Sequence, residues 1–133
     1  MAIQYKAVQR ANPTKPADPK KFYATVTGRQ PVDLKAIAQS ISSKSTTVSH
    51  VDVHAVLMAL TDEIRDRILA GENVHLGELG YFHVVLQSRG VEKADDVNAS
   101  IIEAAKVRFV AGKVLEAGLA AAEFKKAAES KAP

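Results

Sequence analysis

The chain has 133 residues, 47% hydrophobic and 25% charged, which is the composition of one small globular domain. It contains no cysteine, so disulfides and thiolate metal sites are excluded. No apolar run reaches membrane-span length and MAIQYKAVQR lacks the apolar core of a secretory signal, so a cytoplasmic address is expected, with a net charge of +3 that permits a polyanionic partner.

The charge is unevenly placed. Residues 1–32 hold six basic groups (Lys6, Arg10, Lys15, Lys20, Lys21, Arg29) against Asp18, a net of +5. Residues 33–90 carry a net of −2, and residues 91–133 balance. The excess positive charge therefore lies in an N-terminal segment with its own organisation. Ile3, Tyr5 and Ala7 alternate with polar residues, three prolines (Pro13, Pro16, Pro19) interrupt, and Phe22, Ala24 and Val26 alternate again before Gly28. This predicts two strands joined by a Pro-rich loop. A bare hairpin is marginal in water, so it is expected to pack on or beside the main sheet.

Asp33 is a good N-cap for a first helix with Leu34, Ile37, Ala38 and Ile41 on one face. A polar loop, Ser42–Thr47, leads to Ser49-His50-Val51-Asp52, a capping box with Asp in place of Glu. The second helix carries a stripe of Val53, Val56, Leu57, Leu60, Ile64 and Ile68. Two helices joined by a polar loop could read a major groove, but the exposed groups here are largely acidic. They lack the Arg, Asn or Gln near the helix start that reads base edges.

The segment GENVHLGELGYFHVV follows. Gly71 caps the helix, Val74 and Leu76 alternate as a strand, Leu79-Gly80 turns, and Phe82 and Val84 alternate on the return strand. His75 and His83 are expected to oppose each other across this hairpin. Downstream, VRFVAGKVLEAGLA closes a strand and opens a last helix, expected over roughly Ala111 to Lys126 because AGLAAAEFKKAAE is strongly helix-forming. Two helices and a three-stranded sheet leave a broad apolar surface that one chain cannot cover.

These segments resemble the bacterial HU/IHF family of histone-like proteins. The family pattern G-x-x-V-x-L-x-x-x-G-x-F-x-V is met by Gly71, Val74, Leu76, Gly80, Phe82 and Val84. Its F-x-x-G-K-x-L is met by Phe109, Gly112, Lys113 and Leu115, with 27 residues from Phe82 to Phe109 for a β-arm. With its N-terminal extension, the chain is similar to the longer HU-like proteins of the Bacteroides group.

The resemblance implies an α+β, HU/IHF-like fold: a helical pair, an antiparallel β-sheet with a β-arm, a C-terminal helix, and an extra N-terminal β-hairpin. It further implies an intertwined homodimer, with Leu57, Leu60, Ile64, Phe82, Phe109 and Leu115 in a shared core. Residues 1–32 are then the hairpin extension, 33–128 the HU-like domain, and 129–133 a flexible tail.

It also implies sequence-tolerant binding of double-stranded DNA with an architectural, nucleoid-associated role. HU-like arms wrap the minor groove and kink it with a proline wedge, while cations neutralise phosphates. This chain departs from that pattern. Between Gln87 and Ile102 only Arg89 and Lys93 are basic, against Glu92, Asp95 and Asp96, and there is no proline. Val85 and Gln87 stand where the family offers arginines. Sharp arm-driven bending is not expected. The expected phosphate contacts are Lys106, Arg108 and Lys113, Arg89 and Lys93 in the arm, and Lys6, Arg10, Lys20 and Lys21 in the hairpin, with Lys113 at a helix start that favours anions. Lys125, Lys126 and Lys131 follow. The alternative is an HU-fold dimerisation or protein-interaction module with weak or lost DNA binding.

Catalysis finds no footing. His50 and His54 are four residues apart on a helix but lack the intervening Glu of a zinc-protease motif, and no nucleophile–base, P-loop or dinucleotide pattern occurs. An enzyme, a metal, a cofactor, a small-molecule substrate and a membrane partner are not expected.

Overall fold

The structure, a computed structural model, describes residues 1–45 and 47–128. Thr46 of the polar loop, the expected tail 129–133 and its Lys131 lie outside the described residues. The chain divides into two units: Val32–Ala117, and Met1–Pro31 together with Gly118 onward.

In the first unit, helix α1 spans Leu34–Lys44 and α2 spans His50–Leu69. Both start where the sequence predicts. Asp33 accepts a hydrogen bond from the Ala36 N–H at 2.8 Å, and Ser49 accepts one from the Asp52 N–H at 3.1 Å, each satisfying a donor that the helix leaves free. The Ser42 hydroxyl donates to the Val48 carbonyl across the connecting loop. Gly71 ends α2 at φ +81°, with its N–H on the Ile68 carbonyl and the Glu72 N–H on that of Arg67.

Strands β3 (Val74–His75), β4 (Gly80–Ser88) and β5 (Ile102–Ala111) form an antiparallel sheet in the order β3-β4-β5. A 3-10 turn, Gly77–Leu79, connects β3 to β4. The motif glycines are explained by close backbone approach. The Gly112 N–H donates to the Leu79 carbonyl, and a methyl group at Gly112 would run into the Glu78 carbonyl. Gly80 adopts φ +138°, and a methyl there would meet the Val110 carbonyl and the Phe109 ring.

The last helix is shorter than the alanine-rich sequence predicts. Helix α3 covers Lys113–Ala120, and Glu123–Lys126 forms a strand, β6. Its intrinsic helicity yields to a pairing opportunity. In the second unit, β1 (Ala2–Arg10) and β2 (Lys21–Val26) make the expected antiparallel pair, and β6 adds in parallel on the other side of β1, in the order β2-β1-β6. The hairpin thus finds its third strand in the C-terminal segment of the chain.

Side chains are poorly covered in both units. Among the described residues the only buried hydrophobics are Ala38, Val53 and Ile101. On the α2 stripe Leu57, Ile64 and Ile68 are half-buried, while Val56 is 67% exposed.

Candidate nucleic-acid interface

Residues paired across a sheet share a face, so the register of β4 and β5 sorts their side chains. One face takes Phe82 with Phe109, Val84 with Val107, and Leu86 with Ala105. The other takes Tyr81 with Val110, His83 with Arg108, Val85 with Lys106, and Gln87 with Ala104. His75, paired with Tyr81, joins that second face. One side of the sheet is therefore apolar. The other carries Lys106 and Arg108 beside aromatic and imidazole rings.

The rings form a ladder. His75 stacks on Tyr81 with centroids 4.8 Å apart, and Tyr81 stands 5.7 Å from His83. The two histidines do not oppose each other, contrary to the sequence reading: His75 is in register with Tyr81 and His83 with Arg108. The short β3 and the 3-10 turn after it set this offset. Tyr81, which the sequence reading passed over, is the central ring; its place one residue before Phe82 puts it on the opposite face by the strand period.

Lys106 and Arg108 are exposed and two residues apart on β5, and Lys113 is the first residue of α3. Glu116 in the first turn of α3 offsets part of the positive field there. Among the described residues all four ion pairs involve Arg65 or Arg67, whose partners are Asp62, Asp66, Glu63 and Glu72. Glu63's hydrogen bond, then the charge of Glu72, raises the pKa of Arg67 above its ordinary value. The arginines of α2 are thus occupied, and the helix presents carboxylates, as its sequence suggests.

The residues between β4 and β5 contain no strand. They fold into two 3-10 turns, Ala94–Asp96 and Ala99–Ile101. The Arg89 N–H donates to the Ile101 carbonyl at 2.9 Å and its guanidinium to the Ser100 carbonyl at 3.1 Å. Asn98 accepts from the Ser100 N–H and is also hydrogen-bonded to the Ser100 hydroxyl. Arg89 is engaged in holding this turn. Lys93 is exposed beside Glu92, Asp95 and Asp96.

The remaining expected contacts lie in the other unit. Lys6 and Arg10 are on β1, Lys21 opens β2, and Lys20 is in the loop before it. The six core candidates are unevenly placed: Phe82, Leu57 and Ile64 are half-buried, whereas Leu60, Phe109 and Leu115 are exposed.

The family model described as an HU domain fused to a winged helix–turn–helix, Ig or glycine-rich motif matches residues 1–126. The chain belongs to the HU-HIG family. A solved structure similar to this HU-HIG chain is that of a "putative bacterial DNA binding protein" from Bacteroides vulgatus, at 17% identity and a TM-score of 0.64. The match covers 98% of this chain and 51% of the Bacteroides one, so the HU-HIG chain spans about half the length of that protein. A search of the curated proteins finds no match. Among the described residues no helix is long and apolar enough to cross a membrane, and no group of acidic or histidine side chains is arranged to hold a metal.

Proposed function

We propose that this HU-HIG protein is a homodimeric, sequence-tolerant binder of double-stranded DNA with an architectural role in the nucleoid. The observation that carries the reading is the pair Lys106 and Arg108. They are adjacent on one sheet face, free of ion pairs among the described residues, and follow the strand into Lys113. Exposed cations on a sheet attract phosphates through counterion release, which gives affinity without sequence readout. The name of the Bacteroides neighbour and the HU module of the family point to the same partner.

The apolar surface supports the dimer. The chain leaves 11342 Å² accessible. A folded chain of this mass exposes about 6,800 Å², and two units sharing no surface would together expose only about 8,000 Å². Val107 is 54% exposed, and an open groove of about 490 Å³ is lined by Ile68, Leu69, Val84, Ala105 and Val107 among others. A second copy whose Leu57, Leu60, Ile64, Phe82, Phe109 and Leu115 meet their equivalents would cover this surface.

A second reading, the dimeric interaction module with lost DNA binding, is favoured by one feature. The turn between β4 and β5 holds three carboxylates, and its Arg89 is tied to Ser100. The test separates the two. Binding to a labelled mixed-sequence duplex of about 30–40 base pairs is measured over a salt series, where log affinity falls by ~0.9 per phosphate contact. Affinity that drops steeply with salt, and weakens on joint Lys106→Gln, Arg108→Gln and Lys113→Gln substitution, is the expected result. A folded dimer that fails to bind at low salt would overturn the DNA reading in favour of the second.

A further inference from the structure

We infer that the sheet β2-β1-β6 carries a second duplex-DNA contact on one face, formed by Lys6, Arg10, Lys21 and Lys125. The inference rests on the DNA reading above but concerns a separate surface. Register divides this sheet into two unlike faces. Ile3, Tyr5 and Ala7 share a face with Phe22, Ala24 and Val26 from β2 and with Phe124 from β6. The opposite face has Lys6 and Arg10 from β1, Lys21 and Tyr23 from β2, and Lys125 from β6; Glu123 is its only strand carboxylate, and Asp18 of the loop lies beside Arg10 and Lys21. The 3.4 Å hydrogen bond from the Arg10 guanidinium to Thr25 agrees with this assignment, since Thr25 pairs with Lys6.

The sequence alone groups Lys20 with Lys21 and leaves Lys125 and Lys126 together in a tail. Pairing separates them. Lys125 is opposite Gln4 on the basic face, Lys126 is opposite Tyr5 on the apolar face, and Lys20 is in the loop. Four cations from three strands thus share one face, spread along its length, and none is ion-paired among the described residues.

A second observation points to an anion. Arg10 and Lys21 are direct cross-strand partners, and like charges in that position repel. A phosphate between them turns that repulsion into a shared attraction. The two residues line a small recess of about 60 Å³ with Asn12, Asp18, Pro19 and Tyr23. Lys6 lies about 13 Å along the strand from Arg10. That span covers several phosphates of one DNA strand, which repeat about every 3.4 Å along the helix axis. A row of unpaired cations at this pitch suits a continuous polyanion.

The test is lysine acetylation footprinting of the unaltered full chain with and without the duplex, paired with salt-dependent binding of a variant carrying Lys6→Gln, Arg10→Gln, Lys21→Gln and Lys125→Gln. DNA is expected to protect Lys6, Lys21 and Lys125 while Lys44 and Lys126 stay reactive. The variant's salt slope should fall by about 3.6, at ~0.9 per lost phosphate contact, and the charge-keeping Lys6→Arg, Lys21→Arg, Lys125→Arg variant should retain it. Protection confined to Lys106 and Lys113, with the slope unchanged, would overturn the inference and leave the proposed function standing. Protection confined to the N-terminal sheet would uphold the inference and the DNA reading and remove only the contact assigned to Lys106, Arg108 and Lys113. A chain that binds no DNA at low salt would overturn both.

Discussion

Phe82 and Phe109 are direct cross-strand partners on β4 and β5, with ring centroids 4.9 Å apart and planes tilted by 42°. This is a favourable aromatic geometry, yet Phe109 is still 44% exposed in the single chain. The pair lies on the apolar sheet face, beside Val84 and Val107, and would be covered in the proposed dimer.

Replacing either ring with alanine should therefore weaken folding and assembly together. Phe82→Ala or Phe109→Ala is expected to cost roughly 3–5 kcal/mol if the face is covered by a second copy. Urea unfolding at several protein concentrations would measure it. A midpoint that rises with concentration marks coupled folding and association. A cost below about 1 kcal/mol would mean that the rings stay solvated, contrary to the dimer.

The glycines separate into two kinds of constraint. Gly112→Ala must push the methyl group against the Glu78 backbone, and Gly80→Ala meets both the Val110 carbonyl and a positive φ. Each is expected to destabilise by several kcal/mol or to prevent folding, seen as loss of the cooperative thermal transition. Gly71→Ala has open space around it and pays only for its positive φ, about 1–2 kcal/mol. Equal costs at Gly71 and Gly112 would contradict the close backbone approach.

The helix caps give a smaller, cleaner test. Asp33→Ala and Ser49→Ala each remove one side-chain acceptor from a helix start and should each cost about 1 kcal/mol. The two sites are in different helices with no shared partner, so the double variant should be close to additive in denaturant titration.

The turn between β4 and β5 predicts a mechanical difference from the proline-wedged HU/IHF arm. With no proline and no strand between Arg89 and Ile101, this protein is expected to bind DNA without a sharp kink. End-to-end fluorescence transfer on a doubly labelled duplex should shorten little on saturation. Arg89→Ala should open the turn to limited proteolysis while leaving the salt slope of DNA binding unchanged.

Much of the fold was legible because local chemistry and tertiary structure agree. Asp33, Ser49 and Gly71 mark the helix ends as their types suggest, and the alternation of β1, β2 and β4 appears as paired strands. The candidate site was legible only as a set of residue types. Lys106 and Arg108 could be named from their charge, but their companions His75, Tyr81 and His83 depend on a register set by a two-residue strand. Nor could β6 be read, because Ala-rich sequence favours a helix and only the open edge of β1 makes an extended Glu123–Lys126 preferable. The one clue was short: Phe124 flanked by Glu123 and Lys125 repeats the alternation of Ile3 between Ala2 and Gln4.

The parallel pairing of Ala2 with Glu123 has a consequence for biosynthesis. Strand β1 leaves the ribosome before β6, which emerges only after all of Val32–Ala117 has been made. During that interval one side of β1 has β2 while the other presents unpaired backbone donors and acceptors, a template for the wrong strand. Lys6 and Arg10 on the waiting strand, and the prolines of its loop, discourage such a mispairing until the correct partner arrives.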